Sequence, residues 1–103
     1  MGDRAMAEIK NGEGTLYFYT HWTGHSLPAD AEEALAKARR RLGDEAYAMK
    51  IVIDSLINSS GARDSETGAG IMFEPIAEDQ YNNDSPSVVI DLIKGEVSVT
   101  GRS

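Results

Sequence analysis

The sequence predicts an α+β fold: a mainly antiparallel sheet of about four strands with two helices packed on one face, in the order β-α-α-β-β-β. Two patterns support it. Apolar residues alternate with polar ones near both ends of the chain and recur at helical spacing in between. With 103 residues, 41% of them hydrophobic, the chain is long enough for one domain with its own core. We expect residues 15–103 to form this domain and residues 1–14 to be a frayed N-terminal segment.

The first predicted strand, residues 15–22, alternates between an apolar face and a polar, aromatic face. The apolar face consists of Leu16, Phe18, Thr20 and Trp22. If the helices cover this face, the other face of the strand is the uncovered one. The opposite face consists of Thr15, Tyr17, Tyr19 and His21. Four of the seven aromatic residues and both histidines lie between positions 17 and 25, so this segment combines a large area for burial with polar chemistry.

Two helices are predicted after this strand. Pro28 fits the first turn of a helix, and small apolar residues then recur at helical spacing as far as Leu42. Gly43 suits the end of this helix, and Asp44 suits the N-cap of a second helix over about residues 45–58. The second helix is the more apolar of the two, so we expect it to lie against the sheet.

Three further strands complete the prediction. One lies around residues 70–76, where Pro75 favours an edge position or a strand end. The other two, residues 88–93 and 96–100, form a hairpin with Gly95 at its tight turn.

The net charge of −7 is concentrated in the last third of the chain. Eight of the 17 acidic residues lie between Asp64 and Glu96, together with a single basic residue, Lys94. A broad basic surface for direct binding to nucleic acid is therefore disfavoured. The short basic run at Arg39–Arg41 is accounted for by the preference of cations for a helix C-terminus.

The composition also bears on compartment and redox chemistry. The absence of cysteine excludes disulfides, thiol catalysis and thiolate metal ligands. No apolar run approaches 18 residues, and the N-terminus lacks the apolar core of a signal peptide. We therefore expect a cytoplasmic protein without a membrane partner.

The chain contains several short motifs: Tyr19-Thr20-His21-Trp22, Gly24, Leu27-Pro28, Asp44-Glu45-Ala46-Tyr47, Glu66-Thr67-Gly68 and Val88-Val89-Ile90-Asp91. Together they resemble those of small proteins encoded by phages and prophages, a family of unknown function. The resemblance spans roughly residues 15–100. It implies an origin and no activity, because it identifies no catalytic residue.

His21 and His25 are four residues apart, a spacing that zinc ligands use on a helix, but here a strand end and Gly24 intervene. A third ligand would have to be a carboxylate, with Asp64, Glu66 or Asp84 available. A small metal-dependent or hydrolytic protein using the His21 and His25 region is therefore kept as an alternative. Because the sequence contains no phosphate-binding glycine loop and no nucleophile motif, we expect no enzymatic activity, no catalytic residue, no bound metal and no cofactor.

A strip formed by Tyr17, Tyr19 and His21 is the first candidate for partner binding, since tyrosine is enriched at interface hot spots. Exposed strand tyrosines that bind nothing remain the alternative. The second candidate is a set of acidic residues in the last third of the chain: Glu74, Glu78, Asp79, Asp84 and Asp91. These carboxylates could imitate the spaced charges of a phosphate backbone, or serve solubility alone.

We therefore expect a non-enzymatic acidic binding protein that docks onto a basic protein partner. In the phage context that the resemblance implies, the partner would be a nucleic-acid-binding host complex, and the effect inhibition of the anti-CRISPR type. A structural or assembly protein of a phage is a further alternative. A homodimer, formed through a strand edge or the tyrosine strip, also stays open.

Overall fold

A computed structural model describes residues 3–74 and 87–100 and confirms the α+β class and the two helices. The helices are α1 (Leu27–Ala38) and α2 (Glu45–Ser60), and short 3₁₀ turns at Gly24–Ser26 and Arg39–Arg41 precede and follow α1. The strands are β1 (Ala5–Asn11), β2 (Gly14–Thr20), β3 (Ala69–Met72), β4 (Ser87–Asp91) and β5 (Glu96–Thr100).

The sheet has five strands in the order β3-β2-β1-β4-β5, rather than about four. β1 pairs parallel to β4 and antiparallel to β2, and the other two pairings are antiparallel, so the sheet is mixed although mostly antiparallel. The element order is β-β-α-α-β-β-β, because a strand that was not predicted precedes the first predicted one.

That additional strand, β1, occupies the centre of the sheet, so the expectation that residues 1–14 are frayed does not hold for Ala5–Asn11. Two features explain why this segment forms a regular strand. Its backbone is paired on both edges, and the side chains of Ala5, Ala7 and Ile9 are completely buried. The β1–β2 turn is fixed by Asn11, whose Oδ1 accepts hydrogen bonds from the backbone N–H groups of Glu13 (2.8 Å) and Gly14 (3.1 Å).

Both helices pack on one face of the sheet, as predicted. α1 lies mainly over β4 and β5, and α2 lies over β1 and β2. The apolar stripe of α1 combines two leucines with three alanines, and the small alanines let this helix approach the sheet closely. Its buried members are Leu27, Ala31, Ala34, Leu35 and Ala38. The largest buried side chain is that of Phe18, and burial of such a residue contributes about 1.5–3 kcal/mol.

Trp22 departs from the expected strand pattern. It was placed on the buried face with Phe18, but β2 ends at Thr20, and the indole is 48% exposed. The strand alternation therefore no longer applies at position 22. The ring lies beside Gly68, the residue that precedes β3.

In the part of the chain that the structure describes, no helix is both long and apolar enough to cross a membrane.

Candidate protein-binding face

Among the described residues, no helix covers the second face of the sheet, which we call the open face. Its strand positions, by the alternation and the register, are Met6, Glu8, Lys10, Thr15, Tyr17, Tyr19, Gly70, Met72, Ser87, Val89, Asp91, Glu96 and Ser98. Tyr17 lies in the middle, opposite Glu8 on β1 and Met72 on β3. Tyr19 lies opposite Met6 and Gly70. The centre of the open face is thus aromatic and thioether-rich.

Tyr19, His21 and Trp22 form a connected aromatic group at one end of the open face. The Tyr19 hydroxyl lies 2.6 Å from His21 Nδ1, and the two rings meet edge-on at 6.0 Å between centroids. The indole of Trp22 meets the imidazole of His21 edge-on at 5.5 Å. The group joins the tyrosine of the strand to the loop that follows it.

The backbone of His21 is held on both sides. Its N–H donates to the carbonyl oxygen of Gly68 (2.9 Å), and its own carbonyl oxygen accepts from the N–H of Asp3 (2.6 Å). The imidazole therefore has a fixed position from which to orient the Tyr19 hydroxyl. In the tautomer that carries its hydrogen on Nε2, Nδ1 accepts a hydrogen bond from that hydroxyl, and Nε2–H is left to donate to a second partner.

Acidic residues gather at the opposite end of the open face. β1, β3 and β4 run in the same direction, so their last residues lie at one end of the sheet, where β5 begins. This arrangement places Asp91 at the end of β4 beside Glu96 at the start of β5. The exposed Glu74, just beyond β3, lies at the same end but at the other edge of the sheet, because β2 and β1 separate β3 from β4. Asp91 and Glu96 are direct cross-strand neighbours, a pairing of like charges that is unfavourable for the sheet itself.

Asp91 has a structural role in addition to its charge. Its Oδ1 accepts hydrogen bonds from the backbone N–H groups of Ile93 (2.9 Å) and Lys94 (3.0 Å), which fixes the β4–β5 turn. The bond from the Lys94 N–H is the main reason that the pKa of Asp91 is lowered, with smaller contributions from the Ile93 N–H and from the charges of Lys94 and Lys10. Asp91 is therefore a carboxylate held in its charged form beside Glu96.

The predicted binding residues are thus divided by the structure. Tyr17, Tyr19 and Asp91 share the open face, and His21 adjoins it. Glu74 lies at its acidic end. Three predicted residues fall outside the described residues: Glu78, Asp79 and Asp84.

Sequence reasoning missed four contributors to the centre of the open face, one of which is Met72 on β3, the neighbour of Tyr17. Met6 and Glu8 lie on β1, and the alternation of residues 5–10 was the signal that could have revealed them. Val89 lies beside Glu8 on β4, in a strand that was predicted without a face assigned to this residue.

The imidazole rings of the two histidines contact different side chains. His25 is bound to Asp3, whose Oδ2 accepts the backbone N–H of His25 at 2.8 Å and also contacts its imidazole Nδ1. His21 is bound to Tyr19 instead. Across residues 3–74 and 87–100, no group of three or more histidine, aspartate or glutamate side chains is arranged to hold a metal ion.

Comparison with known proteins adds no assignment, because no family model matches the chain and no match was found among curated proteins or solved structures.

Proposed function

We propose that this protein is a non-enzymatic binding protein whose open face docks onto a basic protein partner. One observation carries the proposal. Both helices pack on the same side of the sheet, and among the described residues no helix covers the other side, where Tyr17 and Tyr19 are flanked by methionines and carboxylates. Tyrosine supplies a large, rigid contact area that loses little conformational entropy on binding.

The charge of the open face supports a basic partner. Its strand positions carry three acids, Glu8, Asp91 and Glu96, against one base, Lys10. Lys10 lies 3.8 Å from Glu8, a loose and solvent-exposed contact that a stronger cation could replace. An arginine or lysine from a partner could stack on the ring of Tyr17 and approach the carboxylate of Glu8, which is the cross-strand neighbour of Tyr17.

The class of partner in this proposal is chosen by charge complementarity. A net charge of −7 favours encounter with a basic groove and disfavours direct contact with nucleic acid. In this proposal the partner is a nucleic-acid-binding complex of a host cell, and the protein inhibits it by occupying the groove, as a phage-encoded inhibitor of the anti-CRISPR type would. The resemblance to phage proteins supports this context.

The experiment uses photo-crosslinking from a defined position on each side of the molecule. A photoreactive phenylalanine analogue replaces Tyr17 on the open face or, as the matched control, Tyr47 on α2, which is 65% exposed. Crosslinking in host cells should capture one basic protein reproducibly from position 17. The analogue at position 47 should not capture that protein. Light scattering on the purified protein tests the remaining alternative, that the open face binds a second copy.

The captured partner is then purified and its affinity measured. Tyr17→Ala should weaken binding by about 2 kcal/mol, which is roughly 30-fold in Kd. Glu8→Gln should mainly slow association and reduce its dependence on salt. Tyr47→Ala should change neither quantity. Equal crosslinking from both positions, or an affinity insensitive to Tyr17→Ala, would show that the open face is not the interface.

A further inference from the structure

A solvent-open groove between α1 and α2, on the helical side of the molecule, has a volume of about 210 Å³. Its lining residues are Lys37, Ile51, Asp54, Ser55, Asn58 and Arg63. The helices separate this groove from the open face, so any function of the groove is independent of the proposed docking.

Ser55 is the residue of the groove that the fold does not explain. Only 4% of its surface is exposed, and its Oγ is buried without a hydrogen-bond partner among the described residues. A buried hydroxyl that lacks a partner is unfavourable, and native proteins rarely retain one without a reason. Because the hydroxyl can rotate, it could donate a hydrogen bond to an acceptor atom placed in the groove.

The other polar residues of the groove are mainly donors. Arg63 uses one N–H group, on Nη2, to bind the carbonyl oxygen of Asp54 at 3.2 Å. The guanidinium has five N–H donors, so most of them remain free to bind a ligand. Lys37 lies 3.7 Å from Glu33, an exposed and loose ion pair. Asn58 adds a side-chain amide, which can donate two further hydrogen bonds.

Among the described residues, one carboxylate lines the groove, and it is already paired. Asp54 lies 3.1 Å from Lys50, four residues earlier on α2. The charged residues that line the groove are two cations, Lys37 and Arg63, and one anion, Asp54. The local balance is therefore positive in a chain whose net charge is −7.

We propose that this groove binds a small oxyanion, namely a carboxylate or phosphate group. Arg63 and Lys37 supply the opposing charge, and Asn58 and Ser55 donate hydrogen bonds to the anion's oxygens. Charge-assisted bonds from a guanidinium to an oxyanion are shorter and stronger than neutral ones, which compensates for the exposure of the groove. A metal ion does not fit, because a cation would find one carboxylate and two like charges.

The test is a titration of the ¹⁵N-labelled protein with inorganic phosphate and, separately, with acetate, at constant ionic strength set by sodium chloride. Saturable shifts at Ser55, Asn58 and Arg63 are expected for at least one anion, with a Kd of about 1 mM. The anion that saturates identifies the ligand as a phosphate or a carboxylate group. The proposal would be overturned if chloride alone produced the same chemical-shift changes as phosphate and acetate. It would also be overturned if the changes did not saturate with either anion.

Three variants separate a ligand role from a structural one. Ser55→Ala should weaken anion binding about tenfold while leaving the urea midpoint unchanged or higher, because it removes an unpaired buried hydroxyl. Arg63→Gln should abolish saturable binding. Arg40→Gln, which removes an exposed cation of the 3₁₀ turn outside the groove, serves as the control and should bind normally. If Ser55→Ala binds the anion as tightly as the wild type does, the proposed site is refuted.

Discussion

Replacing Gly68 with alanine tests the contact that joins the start of β3 to the aromatic group of the open face. Gly68 has φ = +101°, in the range that favours glycine, and its carbonyl oxygen accepts the N–H of His21. A Cβ at this position would lie 3.0 Å from Trp22 Cε3, closer still to Cζ3, and 3.3 Å from the Cβ of Ala62. Gly68→Ala therefore combines backbone strain with a steric clash.

The magnitude follows from the two contributions. An L-residue at positive φ costs about 1–2 kcal/mol, and overpacking costs about 1–3 kcal/mol. The reduced entropy of the unfolded chain offsets about 0.4–1 kcal/mol. We expect Gly68→Ala to lower the free energy of unfolding by about 2–4 kcal/mol, a large fraction of the roughly 5–15 kcal/mol typical of a domain.

Two other glycines provide matched controls. Gly61, the C-cap of α2, has φ = +74° and no atom within 4 Å of a built Cβ, so Gly61→Ala reports strain alone, about 1 kcal/mol. Gly70 has neither a positive φ nor a close neighbour, and Gly70→Ala should change stability by less than about 0.5 kcal/mol.

Urea denaturation followed by circular dichroism gives the three stabilities, and fluorescence reports the environment of Trp22, the only tryptophan. The excess cost of Gly68→Ala over Gly61→Ala should disappear in a Trp22→Ala background, because the clash is then removed. The reasoning is refuted if Gly68→Ala and Gly61→Ala are equally destabilising, or if the excess persists without the indole.

Three further predictions concern the core, the central strand and the β4–β5 turn. Phe18→Ala should lower the free energy of unfolding by about 3–5 kcal/mol in urea denaturation, since this side chain is almost fully buried; a loss below 1 kcal/mol would contradict that. Deleting residues 1–11 should abolish cooperative thermal unfolding followed by circular dichroism, because it removes the strand between β2 and β4. The pKa of Asp91 is lowered from its ordinary value of 3.8, so its charge stabilises the fold above that pH and ceases to do so as the pH falls through the folded value. The urea midpoints of wild type and Asp91→Asn should therefore differ more at pH 6 than at pH 3, and a gap independent of pH would exclude a role for the charge.

The sequence located the second helix and the last hairpin well, because their signals are local. The prediction that the first helix continues to Leu42 and ends at Gly43 is wrong, because α1 ends at Ala38 and a 3₁₀ turn follows it. The second helix was predicted over residues 45–58 and spans Glu45–Ser60, with Gly61 at its C-cap in a left-handed conformation. Asp44 is its N-cap residue as predicted, but its side chain makes no capping hydrogen bond and lies 3.4 Å from Arg41 instead. The sequence could therefore predict that Asp44 stands at the start of α2. Whether its carboxylate binds the backbone N–H groups of the helix or the side chain of Arg41 depends on the folded geometry.

The central strand is where local reasoning failed. Ala5, Ala7 and Ile9 alternate with polar or longer side chains, but two alanines contribute little apolar area, so the local pattern is weak. What orders this strand is its pairing with β4, near the other end of the chain, and a parallel pairing of this kind leaves no turn signature in the sequence.

The candidate binding face shows the same division. Alternation within β2 by itself determined that Tyr17 and Tyr19 lie opposite Phe18, because successive side chains of a strand point to opposite faces. Only the tertiary structure decided that both helices pack on the side of Phe18, and that Met6 and Glu8 become the neighbours of the tyrosines. The physical reason is that a side chain's face depends on the backbone of its own strand, whereas its neighbours across the sheet depend on pairing between segments that are distant in sequence.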